Sequence, residues 1–117
     1  MSRLETHDSL QVDGKQYMLD PDGHLQDPER WSRRVAVALA ERDGLELEGG
    51  HWWMIEFVRD HHDRYGSPPL MRMVVKALRV RRRDPEVSSR DIYRLFSEHP
   101  VRQACRYGGL PKPDWCI

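Results

Sequence analysis

The sequence predicts a mainly helical α+β domain with about five helices, a helix-turn-helix-like core, an N-terminal β-hairpin and a flexible C-terminal arm. Three observations carry this. Asp13-Gly14 lies between two short alternating runs, Leu10-Gln11-Val12 and Lys15-Gln16-Tyr17-Met18-Leu19, a strong hairpin signal. From residue 27 onward, apolar residues recur at helical spacing between breaks rich in Gly, Pro, Asp and Ser. The chain then ends in Gly108-Gly109-Leu110-Pro111-Lys112-Pro113, which cannot continue a helix.

Each element has its own signals. Pro21-Asp22-Gly23 is a second turn, and Leu25 begins a short return strand. A ribbon this small is stable only when packed on helices. Asp27, Pro28 and Glu29 read as the cap and first turn of helix 1. Trp31, Val35, Ala38 and Leu39 mark its buried face, and Gly44 ends it. The second helix runs from about His51 to Arg64, with Trp53, Ile55, Phe57 and Val58 apolar. Gly66-Ser67-Pro68-Pro69 breaks it. Ser67 caps the third helix, with Pro68 at its first position and Leu70, Met73, Val74, Ala77 and Leu78 as its stripe. Asp84-Pro85 stops that helix. The fourth starts near Ser88 or Ser89 and carries Ile92, Tyr93, Leu95 and Phe96. A last one runs from Pro100 to about Arg106.

The domain plan is a disordered segment over 1–9, one domain over 10–106 and a mobile arm over 107–117. At 117 residues, with 38% hydrophobic and 32% charged residues, one compact unit with a real core is expected. The net charge is zero but unevenly placed. Residues 1–65 hold 8 Lys/Arg against 14 Asp/Glu, a net of −6, and residues 66–117 hold 11 against 5, a net of +6. No run reaches the roughly 18 apolar residues of a membrane span, and Met1–Leu10 has no apolar leader core. The expectation is therefore a cytoplasmic protein without membrane insertion, in which two cysteines are buried thiols, metal ligands or redox groups.

Cys105 and Cys116 have ten residues between them, so the CxxC spacing of a redox or zinc motif is absent. Extended, that segment spans more than about 30 Å; folded back at the glycines it brings the two sulfurs together. This suits a carrier thiol at Cys116 and a resolving thiol at Cys105. Taken alone, Cys105 reads more simply as a small core residue. Cys116, next to the last residue, has no evident packing role. Asp114 and the terminal carboxylate oppose its ionisation, so it calls for activation by a partner. A closed Cys105–Cys116 loop of 12 residues would gain about 3 kcal/mol from chain entropy, compatible with reversible closure.

The stretch Gln103-Ala104-Cys105 followed by Gly109-Leu110-Pro111-Lys112-Pro113 and a penultimate Cys116 resembles the arm of the DsrC/TusE family. The likeness continues through His51-Trp52, Phe57-Val58-Arg59, Ser67-Pro68-Pro69, Val75-Lys76-Ala77 and Tyr93-Arg94-Leu95-Phe96, over roughly residues 9–117. It differs where the family has Phe-Pro-x-Gly-Pro and this chain has Phe96-Ser97-Glu98-His99-Pro100, and at Trp115, where a small residue is usual. The resemblance implies a sulfur carrier, better described as a protein co-substrate than as an autonomous enzyme. Cys116 would accept sulfur as a persulfide. Cys105 would close a disulfide or trisulfide with it. Gly108, Gly109, Leu110, Pro111, Lys112 and Pro113 would form and position the arm, and Arg106 and Lys112 would meet anions or partner groups.

With both cysteines present, the DsrC type is favoured. The implied partners are sulfite reductase subunits, themselves bearing siroheme and iron–sulfur clusters, and upstream sulfur-transfer proteins of the DsrEFH or TusBCD kind. The alternative is a TusE-type relay toward a tRNA thiolase and 2-thiouridine. No cofactor of its own and no metal are expected, since His61, His62 and Asp63 are adjacent and face different sides of a helix. The helix-turn-helix pattern, with Arg81, Arg82 and Arg83, keeps DNA binding as a less favoured reading. The simpler one is a solvated, basic helix end.

Overall fold

A computed structural model describes residues 8–114. Two antiparallel strands, β1 (Ser9–Val12) and β2 (Lys15–Met18), pair with Leu10 opposite Tyr17 and Val12 opposite Lys15. Asp13 and Gly14 both take positive φ, 52° and 81°, the requirement of a tight turn whose twist matches the strands. Arg34 grips the Asp13 carboxylate with two hydrogen bonds and so ties the turn to the first helix. The predicted return strand is a single bridge, Leu19 to Leu25. Between them Asp20 folds the chain back, its Oδ1 accepting from the backbone N–H of both Asp22 and His24 at 2.9 Å.

Five helices follow: α1 (Arg33–Arg42), α2 (Gly49–Tyr65), α3 (Met71–Arg82), α4 (Ser89–Leu95) and α5 (Pro100–Tyr107). The short α5 packs on α1, α2 and α4, the hairpin lies on α1, and α3 packs on α4. Val35, Leu39, Met54, Ile55, Val58, Ile92 and Ala104 are essentially inaccessible and form the centre of the core. The expected mainly helical α+β architecture is the one observed.

Two helix starts differ from expectation. Asp27 and Pro28 open only a 3-10 turn over Pro28–Arg30, and Trp31 is extended at φ −65°, ψ 145°. Helix α1 begins anew behind Ser32, whose side chain caps Val35. The break turns the Trp31 indole away from the helix stripe and onto the far end of the chain, as described below. Helix α3 begins at Met71 behind Leu70, not at Pro68 behind Ser67. A proline disfavours helical geometry in the residue before it, so Pro69 keeps Pro68 out of a helix. Leu70 and Met73 are correspondingly more than a third exposed, leaving Val74 and Leu78 as the buried contacts of α3.

The α4 start is as read: Ser88 and Asp91 cap each other's backbone N–H groups. His99, just before α5, sits in the left-handed region at φ 46°. That is the position at which the family pattern has glycine, and a histidine there carries about 1–2 kcal/mol of Cβ–carbonyl strain. His99 is exposed, so its side chain adds no packing conflict to that cost.

Candidate functional site: the root of the C-terminal arm

The end of α5 leaves carbonyl groups that no further helical turn satisfies. Three side chains from three parts of the fold supply the missing donors. Trp31 Nε1 donates to the Tyr107 carbonyl at 2.7 Å, Arg59 Nη1 to the Gly108 carbonyl at 2.6 Å, and His24 Nδ1 to the Leu110 carbonyl at 2.8 Å. The Leu110 N–H closes the set by donating to the Cys105 carbonyl at 2.9 Å. The Arg59 guanidinium also lies 3.8 Å above the Trp31 ring, so two of the three donors brace each other.

The glycines expected to act as a hinge have a packing reason in this arrangement. A side chain on Gly108 would meet the Ala104 carbonyl oxygen at 3.0 Å and Arg59 Cγ at 3.2 Å. Gly109, at φ 73°, lies flat on Trp31, and a Cβ there would fall 2.5 Å from Trp31 Cδ1. Tyr107 through Leu110 are buried, so the packed body extends beyond residue 106. Pro111 is exposed, Lys112 is partly covered and Pro113 is buried. Lys112 Nζ and Arg102 Nη2 approach the same Asp22 carboxylate oxygen at 3.7 and 3.8 Å.

Cys105 is 0% exposed and lies in the hydrophobic core on α5. Cys116 and Trp115 lie outside the described residues. Arg106 is turned inward. It pairs with Asp43, which also accepts the Tyr107 hydroxyl at 2.6 Å, and it lies 4.9 Å from the Tyr107 ring. Burial and this acceptor hold the Tyr107 phenol well above its ordinary pKa, so it remains a donor. Arg106 is thus committed within the fold, whereas an anion contact was expected of it. Its Nη1 is nevertheless buried without a hydrogen-bond partner among the described residues.

Of the basic run, Arg82 faces Asp91 at 3.6 Å, Arg81 lies 6.0 Å from the Trp53 ring, and Arg83 ends α3 in a left-handed conformation. Among the described residues no group of three His, Cys, Asp or Glu side chains is placed to hold a metal ion. His51 orients the start of α2, accepting from the Glu48 N–H at 2.9 Å and donating Nε2–H to the Leu95 carbonyl at 2.9 Å. No helix among the described residues is long and apolar enough to cross a membrane.

His24 is the residue that the sequence pattern did not single out. It is 0% exposed, and its Nδ1 must carry hydrogen because Leu110 O can only accept. Its Nε2 is then an unprotonated nitrogen with no hydrogen-bond partner among the described residues. A proton there would be buried and unpaired, and Arg106 and Arg102 would repel it, while Asp20 offsets this in part. Burial is the largest cause and pushes the imidazole below its ordinary value of 6.5. The unfolded chain therefore binds this proton at higher pH than the folded one. Stability from neutral His24 is fully present above pH 6.5 and is lost as pH falls below it toward the folded value. We expect the melting temperature to fall on acidification through this range, and His24→Phe to flatten that slope. An unchanged slope would place the acid sensitivity elsewhere.

Comparison with known proteins defines the class. A family model described as "DsrC like protein" matches residues 11–117. The sulfurtransferase TusE of Escherichia coli strain K12 is 39% identical over 108 residues, covering 92% of this chain and 99% of that protein. The NMR structure of Allochromatium vinosum DsrC aligns with a TM-score of 0.82 at 38% identity, covering 96% of this chain and all of the other. The oxidized γ-subunit of the dissimilatory sulfite reductase (DsrC) from Archaeoglobus fulgidus aligns at 0.83 and 41% identity, covering 94% of this chain and all of that one. These are small sulfur-relay proteins. The chain belongs to their family, the DsrC/TusE family.

Proposed function

We propose that the protein relays sulfur on Cys116, with Cys105 as the resolving thiol, and acts as a DsrC-type partner of a dissimilatory-type sulfite reductase. A donor persulfide would pass its outer sulfur to the Cys116 thiolate and leave as a thiolate. The loaded Cys116 would hand that sulfur to an acceptor; with a two-electron oxidant such as a small-molecule disulfide, which would be reduced to two thiols and take up both protons, it would instead bridge that sulfur to Cys105 as a trisulfide. Alternatively, the Cys105 thiolate would attack the inner sulfur, forming the Cys105–Cys116 disulfide and releasing hydrosulfide, which takes up the electron pair. The protein would bring no cofactor to this and would work in the cytoplasm as a co-substrate of its partners.

The observation that carries the reading is the pinned arm root. Three side chains fix the chain at Tyr107, Gly108 and Leu110, the last of these six residues before Cys116, so that thiol is tethered to a defined point beside the helix that bears Cys105. The second cysteine favours the DsrC type. The TusE relatives support a relay toward tRNA thiolation equally well, and partner choice separates the two.

The test is mass spectrometry after exposure to a persulfide donor, followed by mild oxidation. Wild type should gain one sulfur, then lose hydrogen sulfide on closing the disulfide and finish two hydrogens below its unloaded mass. Cys116→Ser should do neither, and Cys105→Ala should load sulfur but not close. Loading that survives in Cys116→Ser would sink the assignment. Capture on purified sulfite reductase subunits, against a tRNA thiolase, then distinguishes the two relays.

A further inference from the structure

Away from the arm root, α2 and α3 face each other across a cleft of about 570 Å³. One wall is an aromatic ladder. Trp53, Phe57, His61 and Tyr65 recur every fourth residue and so line one side of α2. Trp53 and Phe57 stack at 5.5 Å, Phe57 and His61 lie 6.5 Å apart, and His61 and Tyr65 4.7 Å apart. Across from it α3 contributes one residue to the lining. Met73 lines the cleft at 39% exposure, and Val80, two turns on, is 73% exposed. Arg81 reaches over Trp53. Tyr65, at the ladder's end, is 67% exposed. Trp53 and Phe57 are half-buried against the core, whereas Tyr65, Met73 and Val80 are large groups left in water, and such a cluster marks an interaction surface.

Charge shows what covers it. Every charged residue of α3 is a cation, namely Arg72, Lys76, Arg79, Arg81 and Arg82, and Arg83 follows. On the α2 side, Asp60 in the cleft is already paired with Arg64 at 3.2 Å. Geometry gives the shape of the occupant. The rungs repeat once per helical turn, as do the anchors of an amphipathic helix laid in a groove. Only Trp53 and Phe57 stack; the Phe57–His61 and His61–Tyr65 pairs are tilted by 38° and 50°, so the rungs do not offer a run of parallel faces on which successive bases would stack.

We propose that the α2–α3 cleft is a docking groove for an acidic amphipathic helix of the protein with which the arm exchanges sulfur. The identity of that partner rests on the relay reading; the groove itself does not. Arg59, which holds the arm root, lies two residues from Phe57 and so points about 200° away around α2. A helix seated in the groove therefore leaves the arm unobstructed. Docking would tether the arm's thiol near the partner's site at an effective concentration in roughly the millimolar range. This division suits a carrier whose thiol must enter another protein while its body stays outside.

The test uses the full chain labelled with ¹⁵N and three probes. These are a synthetic amphipathic helical peptide with Glu flanks, the same peptide with Lys flanks, and a single-stranded oligouridine. The acidic peptide should shift the Trp53 indole and the Met73 and Val80 amides, and added salt should weaken it. The exposed pair Val80→Glu with Arg81→Glu should weaken it by about tenfold or more. Tyr65→Ala, at the most exposed rung, provides a second variant if the first melts early. Cys116→Ser should leave peptide binding unchanged. Equal binding of the basic peptide, shifts elsewhere, tighter binding of the oligouridine, or no binding would each overturn the groove. Sulfur loading measured on the same samples reports on the relay separately.

Discussion

Gly109→Ala should destabilise the folded state by about 2–5 kcal/mol, although it adds a single methyl group. Two costs combine. The backbone at φ 73° is in the left-handed region, where a side chain costs about 1–2 kcal/mol. The new Cβ would also fall 2.5 Å from Trp31 Cδ1 and 2.7 Å from its Cβ and Cγ. Overpacking of this kind costs about 1–3 kcal/mol, and Trp31 has little room to yield because Tyr107 and Arg59 hold it. Urea unfolding measures the total. Gly66→Ala is the control: its φ is 74°, with nothing within 4 Å of a Cβ, so it should show the backbone cost alone. In a Trp31→Ala background the added cost of Gly109→Ala should shrink but stay above that of the control, because the Cβ of residue 31 remains 2.7 Å away; a Trp31→Gly background should bring it down to the control. Equal losses for Gly109→Ala and Gly66→Ala in the intact background would mean that the contact with Trp31 contributes nothing.

That contact also shows what was legible in the sequence. Local chemistry was. Asp13-Gly14 can make only a few kinds of turn, Ser88 with Asp91 caps itself within one helical turn, and Pro100 at a first helical position needs no distant partner. The misread starts are places where other forces win. Asp27-Pro28 is a good helix opening by every local rule. The chain breaks at Trp31 all the same, because its indole is used against Tyr107, 76 residues away. At Pro68-Pro69 the second proline overrides the capping potential of Ser67.

The candidate site was legible as residues and illegible as a constellation. The Gly-Gly-Leu-Pro-Lys-Pro stretch announces an arm, and its glycines read as freedom of movement. Their packing against Arg59 and Trp31 can be seen only once α2 and the Trp31 turn lie over them. His24 gave no signal, since a histidine after a Pro-Asp-Gly turn is ordinarily a surface residue. Its partner is 86 residues distant. Arg106 looked like an anion contact because it stands beside Cys105 at the base of the arm. Asp43, 63 residues earlier, takes it instead. In each case sequence supplied the chemical group and a long-range contact decided its use.

The second large effect concerns access to Cys105. In Cys116→Ser, which leaves one thiol, alkylation of native Cys105 by a maleimide should be at least about 100-fold slower than in denaturant. A side chain with no exposed surface reacts with an external reagent only through an opened state. The clasp at the arm root sets part of that opening free energy. Trp31→Phe keeps most of the ring and deletes the N–H that serves the Tyr107 carbonyl. A buried carbonyl left unpaired costs about 1–3 kcal/mol, so the Cys105 rate should rise roughly five- to hundredfold. Gly66→Ala, at a position with nothing within 4 Å of an added Cβ, should alter the rate only as far as it alters global stability. A Trp31→Phe rate equal to that of the parent would show that Cys105 opens independently of the clasp. A raised rate would tie the resolving thiol's exposure to the three side chains that hold Tyr107, Gly108 and Leu110, so that a partner pulling on the arm would also uncover the second sulfur.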